Sequence, residues 1–137
     1  KAAGRQKTPP AFDGVDLSAG ENQLFGINTV DKRHFTAFSM QHNTAANAEI
    51  ADEETVKIMN PLNYIDKPGV NLPQNWRIRV GTNDRDTSLA VSAVLAAKLQ
   101  NNGQTVDYAL PWDVGHGGDY DLDDLFTWMK QVSSSTK

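Results

Sequence analysis

The sequence predicts an α/β fold in which a parallel strand-helix-strand-helix unit over residues 76–132 follows a mostly irregular segment over residues 1–75. Three observations carry this. Trp76-Arg77-Ile78-Arg79-Val80 and residues 105–110 (TVDYAL) are short strand-like runs, each followed by a glycine-bearing loop. Stretches with apolar residues at helical spacing lie between and after them. Strands that alternate with helices pair in parallel through right-handed crossovers, which sets their following loops side by side.

Taken in order, residues 1–45 are punctuated by Pro9-Pro10, Gly14, Gly20 and Gly26 and sustain neither a helical nor a strand period, so irregular structure is predicted. Residues 47–59 start acidic, carry Ile50, Val56 and Met59, and stop before Asn60-Pro61, as a short helix does. Pro68, Gly69 and Pro73 make a linker. The strand 76–80 ends at Gly81, and residues 87–101 form a helix with a broad apolar face at Leu89, Val91, Val94, Leu95 and Leu99. Asp86 is placed to cap its start, and Asn102-Gly103 to end it. After the second strand and the loop Gly115-His116-Gly117-Gly118, a last helix over 121–132 has Asp123 and Asp124 at its positive end and Leu122, Leu125, Phe126 and Met129 on one face. The serine-rich residues 133–137 read as a disordered tail.

Composition narrows the function classes. At 137 residues the chain is long enough for one compact domain. It begins at Lys1 rather than Met, so its boundaries need not be those of a folding unit, and any leader would precede them. A net charge of -4 argues against a nucleic-acid partner. The absence of cysteine excludes disulfides, thiolate zinc sites and a cysteine nucleophile. No apolar run approaches the roughly 20 residues that span a bilayer. Localisation, secreted or cytoplasmic, stays open.

In open parallel sheets ligands bind at the carboxyl ends of strands. Two such loops are present, residues 81–88 (GTNDRDTS) and 112–119 (WDVGHGGD), one carrying aspartates and the other a histidine. Singly, Asp84 reads as a turn residue, Asp86 as a cap and His116 as a loop histidine. On adjacent loops, an aspartate and a histidine form the arrangement in which a carboxylate fixes the imidazole tautomer and stabilises the imidazolium formed on proton abstraction. The acidic run Asp119, Asp121, Asp123 and Asp124 fails as an EF-hand loop, because its sixth and twelfth positions hold Asp124 and Lys130. His34 and His42 have no partner pattern and are assigned no role.

The run from Trp76 to Met129, with GTNDRDTS and PWDVGHGGDYDLDDLF its most specific parts, resembles the end of α/β-hydrolase-fold serine esterases related to bacterial tannases and feruloyl esterases. PPAFDG, GENQLFG and HFTAFS resemble the lid insertion of that subfamily. The resemblance implies the C-terminal portion of an α/β-hydrolase fold, with a lid and connector over 1–75 and the end of the hydrolase core over 76–132. It makes Asp84 the triad acid, with Asp86 the competitor, and His116 the triad base. It also implies that Asp86, Lys7 and Glu21 face phenolic hydroxyls of a galloyl-type ester; on plain structural grounds Lys7 and Glu21 are solvated loop charges.

One departure decides activity: no G-x-S-x-G nucleophile elbow precedes Asp84, although chain order should run Ser, Asp, His. His116-Gly117-Gly118 resembles an oxyanion-hole motif but lies on the wrong side of the elbow. The expected partner is therefore an N-terminal segment of the same hydrolase carrying the serine and the oxyanion hole, and the chain alone is expected to be inactive. The chemistry needs no cofactor and no metal. Alternatives from the residues alone are a general carboxylesterase without phenolic specificity and a non-catalytic α/β interaction domain.

Overall fold

The computed structural model describes residues 13–85, 87–118 and 120–134. The described residues form two compact units, 13–70 and 71–134.

In the N-terminal unit, regular structure is limited to α1 (Gly20–Leu24), α2 (Ala37–Gln41), α3 (Glu53–Ile58) and a 3-10 turn at Pro61–Asn63. Helices this short are unstable in water without outside support. Part of the support is local. Thr36 Oγ1 accepts from the Ser39 N–H at 3.2 Å to cap α2, and Asp52 Oδ1 accepts from the Thr55 N–H at 2.8 Å to cap α3. The helix expected from residue 47 begins only at Glu53, because Asn47 takes a left-handed φ of 54° and the chain near Ile50 bridges to His34 instead.

The rest comes from a buried polar cluster centred on Asp13. One carboxylate oxygen accepts from the Phe35 and Thr36 amides at 2.8 and 2.7 Å and from Thr36 Oγ1 at 2.9 Å. The other accepts from Asn22 Nδ2 at 2.7 Å and lies 2.6 Å from Nδ1 of the fully buried His34. The His34 main chain donates to Glu49 O and accepts from the Ala51 amide, and Phe25 stacks on Phe35 at 4.3 Å. What reads as irregular in sequence is thus ordered by non-periodic hydrogen bonds.

In the C-terminal unit, β1 (Asn75–Arg79) and β2 (Thr105–Ala109) pair in parallel, with Asn75 opposite Thr105 and Arg79 opposite Ala109. Between them runs α4 (Leu89–Asn101), and α5 (Leu122–Ser134) follows. Ser88 caps α4 by accepting from the Ala90 amide at 3.1 Å; Asp86, the expected cap, lies outside the described residues. The packed face of α4 also differs from expectation. Ser92, Ala96 and Leu99 are buried, whereas Val91 and Val94 are exposed. Positions four and three residues apart form one stripe, and here the stripe with small residues meets the sheet, where the Ser92 hydroxyl finds Tyr108 OH at 3.1 Å.

Helix α5 runs two residues past its expected end, into the segment read as a tail, because the Ser133 and Ser134 hydroxyls bond back to the Met129 and Lys130 carbonyls; residues 135–137 lie outside the described residues. None of its residues is buried, and Leu122, Phe126 and Met129 form an exposed apolar stripe. Its start is tied to the sheet by charge. Arg77 Nη2 donates to Asp121 at 2.6 Å, and Arg79 Nη2 makes bonds of 2.8 and 2.7 Å to the two Asp107 oxygens. Among the described residues no helix is long and apolar enough to cross a membrane.

Candidate active site

The two loops at the carboxyl ends of β1 and β2 are interlocked through their backbones. The Thr82 amide donates to Pro111 O and the Asn83 amide to Val114 O, both at 2.9 Å, while the Asp113 amide donates to Thr82 Oγ1 at 2.8 Å. Gly81 is required at the crossing, since a Cβ there would collide with the Val114 carbonyl. Asp113 adopts a left-handed φ of 58° as the second loop turns back over the first.

This interlock sets Asp84 beneath His116. Asp84 is buried, its amide donates to Gly81 O at 3.0 Å, and Oδ1 accepts from the Thr87 amide at 3.0 Å. Oδ2 then lies 3.1 Å from His116 Nδ1. The side chains differ sharply in exposure, 6% for Asp84 and 63% for His116. A carboxylate whose other oxygen already accepts from an amide favours a hydrogen on the imidazole Nδ1, which makes Nε2 the basic nitrogen. The geometry thus provides an oriented base on a surface loop with its carboxylate held below.

Of the residues singled out in sequence, Asp84 and His116 are brought together. Glu21 lies on α1 in the N-terminal unit, partly exposed, and Lys7 and Asp86 fall outside the described residues. Missed in sequence were Gly81 and Thr82 at the crossing of the two loops, and the bond of Arg77 to Asp121 at the start of α5. The one available signal was the pair of arginines two apart on a strand, which places both on one face of the sheet. Hydrogen bonding to Arg77 holds the Asp121 carboxyl below its ordinary range, and the same bond raises the Arg77 guanidinium. Among the described residues no group of three or more His, Asp or Glu is arranged to hold a metal ion.

No protein-family model and no curated protein matches the chain. Solved structures do. The tannase of Lactobacillus plantarum aligns with 93% of this chain at 46% identity and a TM-score of 0.83, with 27% of its own length covered. The tannase of Fusobacterium nucleatum aligns with 93% of this chain at 49% identity and a TM-score of 0.79, with 28% of its length covered. A tannin acyl hydrolase has also been solved in complex with 3,4-dihydroxybenzoate and with ethyl gallate, and both complexes match at 46% identity. This chain is thus a tannase-like segment, similar over 93% of its residues to bacterial tannases and spanning 27% to 28% of the length of those named here.

Proposed function

We propose that the chain is the C-terminal part of an α/β-hydrolase-fold serine carboxylic-ester hydrolase, in which Asp84 and His116 are the acid and base of a Ser-His-Asp triad. The observation that carries this is the 3.1 Å approach of buried Asp84 Oδ2 to the Nδ1 of exposed His116, at the ends of adjacent parallel strands. Likeness to tannases over nearly the whole chain supports it.

The nucleophilic serine and the oxyanion hole belong to an N-terminal segment of the same hydrolase, so the chain alone is inactive. His116 Nε2 takes the serine proton as the hydroxyl attacks the ester carbonyl, and Asp84 stabilises the resulting imidazolium. The proton then passes to the leaving alcohol, and water, activated in turn by His116, hydrolyses the acyl-enzyme. The acyl group is a hydroxylated benzoate of galloyl type, in keeping with the 3,4-dihydroxybenzoate and ethyl gallate complexes of a similar tannin acyl hydrolase. Residues 1–75 serve as lid and connector, and Asp86, Lys7 and Glu21 hydrogen-bond the phenolic hydroxyls.

The substrate half is tested by comparing specificity constants for ethyl gallate and ethyl benzoate in the full-length hydrolase and its Asp86→Ala variant. A site built to bond hydroxyls penalises a substrate lacking them. Preference for the gallate that collapses in the variant supports the reading; equal use of both esters by the wild type leaves a general carboxylesterase.

A further inference from the structure

We propose that Arg77 and Asp121 are positioning residues for His116, an inference that rests on the triad reading above. His116 sits on the stretch between the end of β2 and the start of α5, with most of its side chain at the surface. Such a ring keeps a fixed contact with a buried carboxylate only if its loop is held at both ends. The near end is held by Thr82 and Asn83, which bond residues 111, 113 and 114.

The far end has a different anchor. Asp121 accepts from Arg77 Nη2 at 2.6 Å, lies 3.5 Å from Arg79 Nε, and offers its carbonyl to the Leu125 amide at 3.0 Å, in the first turn of α5. Arg77 is a buried partner. It lies on β1, its side chain is 8% exposed, and its Nε is 3.3 Å from Asp107, which is itself forked by Arg79. Isolated surface ion pairs fix little, but networks of part-buried pairs with forked arginines hold geometry. The strand that leads to Asp84, together with the loop after it, therefore also holds both ends of the loop that delivers His116.

The test uses the full-length hydrolase and a small activated ester, which reports the chemical step with few binding contacts. In Arg77→Gln and in Asp121→Asn, kcat is expected to fall by roughly 10- to 100-fold with KM unchanged, the scale of loss when a catalytic group is misplaced by about 1 Å. The His116 Nδ1 proton resonance, a signature of its bond to Asp84, should shift or broaden. Arg77→Lys, which keeps the charge but not the planar guanidinium, should restore part of kcat and most of the resonance. An unmoved resonance, whether kcat is unchanged or falls only with thermal stability, overturns the proposal. His116→Ala is measured alongside. Turnover surviving in that variant overturns the triad reading and this inference with it, whereas turnover lost there with the His116 resonance untouched in Arg77→Gln overturns the positioning role alone.

Discussion

Each unit of the chain holds an aspartate-histidine pair, and the two pairs are built in opposite ways. In the N-terminal unit, Asp13 and His34 are 1% and 0% exposed, and both ring nitrogens of His34 meet oxygen, Asp13 Oδ1 at 2.6 Å and Asn43 Oδ1 at 2.9 Å. The Asn43 amide is oriented by Ala45, whose N–H donates to Oδ1 and whose carbonyl accepts from Nδ2. Asn43 thus presents an acceptor to Nε2, and two acceptors facing the ring favour the charged form of His34. In the C-terminal unit the carboxylate is equally buried but the imidazole stands out at the surface. A pair sealed among acceptors orders chain; a pair with its imidazole exposed on a loop has the arrangement that the proposed proton transfer needs. The short contact between Asp and His is common to both, and the exposure of the imidazole distinguishes them.

The sharpest way to break that comparison is to exchange the histidines' fates. In the full-length hydrolase, His116→Ala should lower ester turnover by roughly four to six orders of magnitude, because base catalysis and serine activation are lost together. Melting temperature should barely move, since the side chain is exposed. Steady-state kinetics alongside calorimetry would show it. A loss of stability with turnover retained would reverse the roles assigned to the two pairs. Asp84→Asn should cost about 10⁴-fold in kcat through the wrong tautomer; if kcat is kept there while Asp86→Asn abolishes it, Asp86 is the triad acid.

His34→Ala and Asp13→Asn should do the converse. Each breaks a buried charge pair and leaves the other partner uncompensated, a loss of about 3–5 kcal/mol. The Phe35 and Thr36 amides, which donate to Asp13, report this locally: their hydrogen exchange should accelerate markedly, while the amides of β1 and β2 keep their protection. Equal acceleration in both units would mean that the Asp13 cluster is not a local support.

The same contrast explains what was legible in sequence. Asp84 and His116 could be found because each lies a few residues beyond a strand, and parallel pairing brings strand-end loops together. The strands and the last two helices were legible by period. The Asp13–His34 pair was not, because its partners are scattered through a stretch without periodicity and meet only when Asn22, Thr36 and Asn43 close around them. The packed face of α4 was read only in part, with Leu99 buried as expected but Val91 and Val94 exposed, for a related reason. Hydrophobicity singles out Val91 and Val94, but close approach to a two-stranded sheet selects Ser92 and Ala96, and the polar partner for Ser92, Tyr108, lies on another element.

The smallest expected effect is a pH dependence of stability in the N-terminal unit. Burial pulls the His34 pKa down from 6.5, but hydrogen bonds to Asn43 and Asp13 and the Asp13 charge outweigh it, so the folded value is raised. Burial pushes Asp13 up, and its bonds from His34, Phe35, Asn22 and Thr36 outweigh that, so its folded value lies below 3.8. The charge facing His34 is Asp13; the guanidinium of neighbouring Arg33 turns instead to Phe25 O and toward Asp52. By linkage, a raised histidine contributes stability in full below its unfolded pKa of about 6.5, and that stability is lost as pH climbs through the folded value. A lowered aspartate contributes above about 3.9, and loses that contribution as pH falls through its folded value. The unit should therefore be most stable between these limits and loosen at alkaline pH. Hydrogen exchange at Phe35 and Thr36, corrected for intrinsic rate, should show protection falling above neutrality in the wild type and staying flat in His34→Gln, which has no charge to lose. A wild-type profile in which protection instead rises as pH climbs through about 6.5 would mean that His34 is neutral when buried, and that the Asn43 amide does not accept from it.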